Sequence, residues 1–239
     1  MADWSSYFAK LEGAPISIAV DLGLRELVPL AEKPMAYTIA MSLREPDEHG
    51  MTNEREYRLL SQVEEALARQ LEGDGLIQVG RVTGRGMRTF HYYGPELTIV
   101  PVVDTVMRTY PEYRYKALSA ADPTWTIYTG YLFPDDSQLA FAQDMKLLQA
   151  LMDAGDHFDR PRDIEHVVDF DDIEKRDAFA HGMTSHGYRV SVDEGTYAVR
   201  CTKRDTIDPF KITEMRTALT TLAEEFGGEY EGWGCEVQP

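Results

Sequence analysis

The strongest constraint on the fold is a hydrophobic pattern that occurs twice along the chain in the same six-element order. In the second half, Ile164, His166, Val168 and Phe170 alternate with polar residues, which predicts a strand. A helix, a hairpin with its turn at Asp193-Glu194-Gly195, a second helix and a final strand follow. The order strand, helix, strand, strand, helix, strand predicts a ferredoxin-like unit.

The first half shows the same order less clearly. Tyr37, Ile39 and Met41 alternate as a strand, and a later hairpin is predicted to turn at Gly84-Arg85-Gly86. We predict a helix over 102–108 and strands over 113–118 and 126–132. One further strand, over 16–20, precedes the repeat.

These patterns predict an α+β protein of two tandem ferredoxin-like (βαββαβ) domains, each an antiparallel sheet with its helices on one face. The polar stretch Pro134-Asp135-Asp136-Ser137 is the predicted junction, which divides the chain into residues 1–135, with the extra N-terminal strand, and residues 136–239. The opposite sheet faces would present Thr38, Ala40 and Ser42 in the first domain, and Glu165, Val167, Arg189, Ser191, Ala198 and Arg200 in the second. We favour packing of these faces on each other over a shallow binding surface.

The charge balance limits the classes of partner. The 239 residues include 24 basic and 41 acidic side chains, which gives a net charge of -17. This charge disfavours direct binding to nucleic acid. Its simplest role is solubility, and the alternative is attraction to a basic protein surface. No run approaches the roughly 18 apolar residues of a spanning helix, so we expect a cytoplasmic protein without membrane contact.

Candidate chemistry is sparse, and we predict no catalytic residue, no metal site and no cofactor. Cys201 and Cys235 lack a CxxC spacing, and His181 and His186 do not have the i, i+4 spacing of a helical zinc pair. The acidic and histidine residues over 156–172 are more typical of a polar surface than of a metal site. His166 is interpreted as a hydrogen-bonded structural histidine.

The segment Glu229-Tyr230-Glu231-Gly232-Trp233-Gly234 is an unusual end for the chain, because two glycines around a tryptophan favour a bulged or closely approached backbone. If this segment is extended, Glu229, Glu231 and Trp233 share one side. Trp233 is interpreted as a core or domain-interface anchor in preference to a ligand platform. The acidic neighbours could form a rim for a basic partner.

Together with Ile164-Glu165-His166 and Gly187-Tyr188-Arg189-Val190, this segment resembles the bacterial family called regulator of ribonuclease E activity B, over about residues 140–237. The resemblance implies a non-enzymatic regulatory protein that binds a protein partner, ribonuclease E or a degradosome component, and modulates RNA degradation. The candidate partner-binding residues are Glu165, Glu229, Glu231 and Trp233.

The first 135 residues resemble a bacterial domain family of unknown function, which brings no chemistry with it. The residues that carry this second resemblance are Trp4, Tyr7, Gly13, Tyr92-Tyr93, Asp122, Trp125, Tyr128, Leu132 and Pro134. Of these, Tyr92-Tyr93, Trp125 and Tyr128 are predicted to pack in the core in preference to stacking on bases.

Two other functions remain open from the sequence. One is an enzyme or small-molecule sensor with its site in the cleft between the two sheets. The other is a structural module that dimerises through an exposed sheet edge. We also predict that Cys201 and Cys235 stay reduced, because the expected strand order separates them by two strand spacings.

Overall fold

The computed structural model describes residues 2–192 and 195–239, so the predicted turn at Asp193-Glu194 lies outside the described residues. The chain divides into two compact units, Met1–Ala142 and Gln143–Pro239. Each unit contains an antiparallel sheet and α-helices, which confirms the α+β class. The division falls inside the helix α3 (Asp136–Asp153), whereas the sequence predicted the junction just before it.

The first unit contains a six-stranded sheet with the order β1-β2-β4-β5-β3-β6. Its elements are β1 (Trp4–Leu11), β2 (Ala14–Asp21), β3 (Met35–Ser42), α1 (Glu54–Gly73), β4 (Ile77–Gly84), β5 (Met87–Gly94), α2 (Val100–Met107) and β6 (Tyr115–Ala121). From β3 to β6 the element order is the predicted βαββαβ. The extra strand predicted over 16–20 is confirmed as part of β2. The sequence missed β1, which forms a hairpin with β2.

The helices α1 and α2 cover one face of this sheet. Alternate residues of β3, including Tyr37, Ile39 and Met41, are fully buried against them. The apolar side of α1 recurs at three and four residues, through Leu60, Val63, Leu67 and Leu71. This spacing places one continuous apolar stripe on the sheet, which explains why the segment is an amphipathic helix.

A second core lies on the opposite face of the same sheet. It joins apolar residues of β1, β2 and β4 to a helical segment that follows β6. Trp125, Tyr128 and Leu132 from that segment are fully buried, and Trp125 stacks on Tyr93 with ring centroids 4.0 Å apart. The predicted core packing of these aromatic residues is therefore confirmed. Helices thus lie on both faces of the first sheet, whereas the sequence predicted helices on one face.

The prediction of a strand over 126–132 was wrong, because this segment is helical and ends in a π-helical turn, Tyr128–Leu132. The Asp122 carboxylate accepts hydrogen bonds from the backbone N–H groups of Thr126 at 2.9 Å and Ile127 at 3.0 Å. It also accepts one from the Tyr93 hydroxyl at 2.5 Å. A side chain that satisfies the first free N–H groups starts a helical segment, so Asp122 acts as its N-terminal cap.

The second unit contains a four-stranded sheet with the order β10-β7-β9-β8. After α3, its elements are β7 (Arg162–Phe170), α4 (Ile173–Ser185), β8 (Arg189–Val192), β9 (Val199–Asp205), α5 (Pro209–Glu225) and β10 (Gly228–Cys235). The cap residues Asp172 and Asp208 accept backbone hydrogen bonds at the start of α4 and α5. The core lies between these two helices and the sheet, around Val168, Phe179 and Leu219.

The strand orders β10-β7-β9-β8 and β6-β3-β5-β4 are equivalent, so the repeat predicted from the hydrophobic pattern is present in the topology. Cys235 lies on β10 and Cys201 on β9, with β7 between these strands. Both cysteines are free. The predicted separation by two strand spacings is confirmed, and the reduced state of both thiols stays a prediction.

Candidate partner-binding surface

The open face of the second unit is the side of its sheet that points away from α4 and α5. On β7, Asp163, Glu165, Val167 and Asp169 lie on this face, and the residues between them are buried against the helices. The strand register places further residues of the neighbouring strands on the same face: Arg189, Ser191, Arg200, Thr202, Arg204 and Glu229. Of the residues predicted for this face, Ala198 lies before β9 and outside the strands.

Charges of opposite sign are separated across the open face. The acidic residues lie on β7 and β10, and the arginines lie on β8 and β9. Ion pairs join the two groups, Arg189 with Asp163 at 2.7 Å and Arg200 with Glu165 at 2.9 Å. The hydrogen bond from Arg189 lowers the pKa of Asp163. The arginines therefore neutralise the acids nearest to them, at one end and in the middle of β7.

At the other end of β7, two acids face each other. Asp169 on β7 lies directly opposite Glu229 on β10 in the ladder, and both side chains are exposed. Like charges that are directly opposite each other destabilise an antiparallel pair. A cationic side chain of a partner, placed between these two carboxylates, would remove the repulsion. This acidic pair, Asp169 and Glu229, is the feature of the open face best suited to a basic partner.

A β-bulge in β10 changes the predicted orientation of the final strand. The register shifts between Tyr230 and Gly232, and the extra residue is Glu231. Tyr230 and Trp233 therefore both point to the helix side, whereas the sequence placed Trp233 on the same side as Glu229. The prediction that Glu229, Glu231 and Trp233 share one side was wrong, because a single inserted residue reverses the alternation.

Trp233 contacts the helices α3 and α5. Its indole N–H donates to Asp144 Oδ1 at 2.8 Å, and Arg216 Nε donates to Asp144 Oδ2 at 2.7 Å. Asp144 is buried, at 3 % exposure, so its carboxylate oxygens rely on these two donors for hydrogen bonds. The half-buried tryptophan thus holds β10 against both of these helices in the second unit, as expected of a core anchor.

Trp233→Phe should destabilise the protein by about 1–3 kcal/mol, because it leaves one oxygen of the buried Asp144 carboxylate without its donor. Urea unfolding measures the change. Trp4→Phe is the matched control, since Trp4 is 40 % exposed and its replacement should change stability little. An equal loss in both variants would contradict the anchoring role of Trp233.

His166 is fully buried on the helix side of β7, and its Nδ1 lies 2.9 Å from the Tyr230 hydroxyl. Burial, with a smaller contribution from the charge of Lys203, lowers the pKa of His166 to about 4. The imidazole is therefore neutral at pH 7. The interpretation of His166 as a hydrogen-bonded structural histidine is confirmed.

Sequence reasoning missed a buried ion pair between Arg162 and Asp156. Both side chains are almost completely buried, and Arg162 Nη2 donates to Asp156 Oδ1 at 2.9 Å. Asp156 Oδ2 also accepts the backbone N–H of Gln238 at 2.8 Å, and Arg162 Nη1 donates to the Glu236 carbonyl at 3.2 Å. The pair therefore fastens the segment after β10. The alternation of β7 could have predicted burial at Arg162, which lies two residues before Ile164.

Within residues 2–192 and 195–239, no three His, Cys, Asp or Glu side chains are arranged to hold a metal ion. In the same residues, no helix is both long and apolar enough to span a membrane.

Residues 2–133, more than half of the chain, match a family described as a family of unknown function, DUF695. The chain belongs to the DUF695 family. Residues 141–235 match a second family, described as regulator of ribonuclease activity B. Both resemblances seen in the sequence are confirmed. The second match supports a role in regulating ribonuclease activity.

No curated protein matches this chain at a significant level. Among solved structures, the crystal structure of an unknown protein from Galdieria sulphuraria matches 85 % of this chain and 99 % of its own length. The two are 10 % identical, with a TM-score of 0.24. A likeness at this level says nothing about function.

Proposed function

We propose that the second unit binds a basic segment of a protein of the RNA-degradation machinery, with ribonuclease E as the expected partner, and so modulates ribonuclease activity. The match of residues 141–235 to the regulator of ribonuclease activity B family supports the class of partner. The net charge of -17 supports attraction to a basic surface.

The observation that carries the proposal is the acidic pair of Asp169 and Glu229. These carboxylates lie opposite each other on an exposed part of the sheet, so a guanidinium or ammonium group can contact both at once. Glu165 contributes less charge to the surface, because Arg200 already contacts it. Glu231 is exposed at the bulge and extends the acidic region, while Trp233 positions β10 through Asp144.

The proposed role is regulation without catalysis, and the chemistry of the second unit supports this. His166 is neutral and fully buried, so it is poorly placed to exchange protons with a bound substrate. Burial raises the pKa of Cys201 to about 12, which keeps its thiol protonated at neutral pH. A protonated, buried thiol is a weak nucleophile.

Binding of the full chain to an arginine-rich peptide of ribonuclease E, measured by titration calorimetry, tests the proposal. The double variant Asp169→Asn/Glu229→Gln should weaken binding about tenfold at low salt, because two carboxylates that face the peptide lose their charge. The difference should shrink as the salt concentration rises. Inhibition of ribonuclease E cleavage by the same proteins provides the functional measurement.

The matched control is Glu224→Gln/Glu225→Gln, which removes two exposed charges from α5 instead of the open face. This control separates local contact from the effect of net charge. Equal weakening in both double variants would contradict a site at the acidic pair. Absence of binding by the unmodified protein at low salt would overturn the proposed partner.

A further inference from the structure

The strand β6 is an exposed edge of the first sheet. It pairs on one side with β3 in a continuous register, and β6 is the last strand of the sheet order. Six of its seven residues are exposed, and Leu118 is 50 % exposed. Edge strands are usually protected by proline, bulges or several charges. β6 has no proline or bulge, and its one charged residue is Lys116.

Hydrogen bonds at both ends of β6 show which of its residues face outward. Ser42 N donates to Arg114 O at 2.9 Å, and Asp122 N donates to Pro34 O at 2.9 Å. Because hydrogen-bonded and non-hydrogen-bonded pairs alternate in an antiparallel ladder, the even-numbered residues of β6 bond to β3. The residues whose N–H and C=O groups point away from the sheet are Tyr115, Ala117, Ser119 and Ala121.

We propose that β6 pairs with β6 of a second copy of this chain, antiparallel, across a twofold axis at Leu118. In this register, Ala117 pairs with the partner's Ser119 and Tyr115 pairs with the partner's Ala121. Every outward-facing residue is then in a hydrogen-bonded pair, about eight bonds in total. If the partner strand shifts by one residue, the outward-facing residues of β6 lie opposite partner residues whose N–H and C=O groups already bond to β3. If it shifts by two residues, one outward-facing residue of each strand has no partner to pair with.

The side chains of β6 are compatible with this register. Lys116 lies opposite the partner's Ala120, so no like charges meet across the axis. The flanking residues are small, which allows the partner strand to approach closely. Leu118 meets the partner's Leu118 in a non-hydrogen-bonded pair, where side chains are nearest. The contact is isologous, so association stops at a dimer and does not continue into a filament.

Sedimentation equilibrium of the full chain, at concentrations up to about 0.5 mM and physiological salt, tests the dimer. Ser119→Pro removes an outward N–H and leaves the ladder to β3 intact, as proline on the outer side of an edge strand does. It should weaken the dimer about tenfold or more. Ser6→Pro is the matched control on β1, the opposite edge strand, and should leave the dimer unchanged.

A monomeric unmodified chain, or a Ser119→Pro dimer as tight as the unmodified one, would overturn the proposal. A dimer weakened by Ser6→Pro and not by Ser119→Pro would instead assign the contact to β1, which also refutes it.

Disulfide trapping tests the register independently of proline. Leu118→Cys should form a covalent dimer on oxidation, because its Cα would lie about 4.5 Å from that of the partner's residue 118. Ser119→Cys should form much less covalent dimer, because residue 119 lies opposite the partner's residue 117 and not opposite the partner's residue 119. The unmodified chain, with Cys201 buried and Cys235 half-buried, gives the background. Equal trapping by the two variants would refute the twofold axis at Leu118.

Discussion

Replacing Asp156 with asparagine is expected to destabilise the second unit by about 3–5 kcal/mol, because it leaves the buried Arg162 guanidinium without a counter-charge. Arg162 and Asp156 are 1 % and 0 % exposed, so water cannot compensate either charge. The pair also holds the backbone at Gln238 and Glu236, so the segment after β10 should loosen. Urea unfolding followed by far-ultraviolet circular dichroism measures the loss.

Asp163→Asn is the matched control for this variant. It removes the same charge from the exposed Asp163–Arg189 pair, where solvent screens both partners, and stability should change little. The apolar double variant Asp156→Leu/Arg162→Met should recover much of the stability lost by Asp156→Asn, because neither buried charge remains. Unfolding of Asp156→Asn at the same urea concentration as the unmodified chain would contradict the structural role of the pair.

The same pair predicts how stability depends on pH. The hydrogen bond from Arg162 holds the pKa of Asp156 well below its ordinary value, against the opposing effect of burial. The folded protein thus binds fewer protons here than the unfolded chain does. The stabilisation is complete well above the ordinary carboxyl pKa of about 3.9, and it is lost as the pH falls below that value. The slope of stability against pH between about 4 and 2 should therefore be smaller in Asp156→Asn.

The sequence predicted most elements of both repeats, because their apolar residues recur at a regular period. β3 and β7 alternate, α1 has a three-and-four stripe, and the β4–β5 hairpin turns at Gly84-Arg85-Gly86 as predicted. β1 was missed since its outer residues Trp4 and Phe8 are exposed aromatics, which obscure the alternation. The helical segment after β6 carried a usable signal, because Trp125, Tyr128 and Leu132 recur at three and four.

The candidate surface was predicted only in part. Alternation placed Glu165 and Arg189 correctly on the open face, because regular strands preserve the two-residue period. It failed in β10, where the extra residue Glu231 reverses every side chain beyond it. The acidic pair of Asp169 and Glu229 depends on the register between two strands that are distant in sequence. Local patterns do not determine such a register.

Trp125→Ala should destabilise the first unit by about 3–5 kcal/mol, the range for loss of a fully buried aromatic side chain. Trp125 is 0 % exposed, stacks on Tyr93 and contacts Tyr128 edge-on, with centroids 6.1 Å apart. Without the indole, the helical segment loses its stacked contact with the sheet at Tyr93. Trp125→Phe keeps a stacked ring, so its loss of stability should be less than half of the loss in Trp125→Ala. Urea unfolding of the unmodified chain and of both variants measures these differences in stability.

The backbone at Trp125 gives this prediction a second test. Its φ is 57°, in the left-handed region that costs residues with a Cβ about 1–2 kcal/mol. Alanine would retain that strain, and glycine would remove it. Trp125→Gly should therefore be more stable than Trp125→Ala, by about 1 kcal/mol, although glycine is usually the more destabilising of the two. If Trp125→Gly is the less stable, the left-handed conformation is not required for the chain to turn from Asp122 into the helical segment.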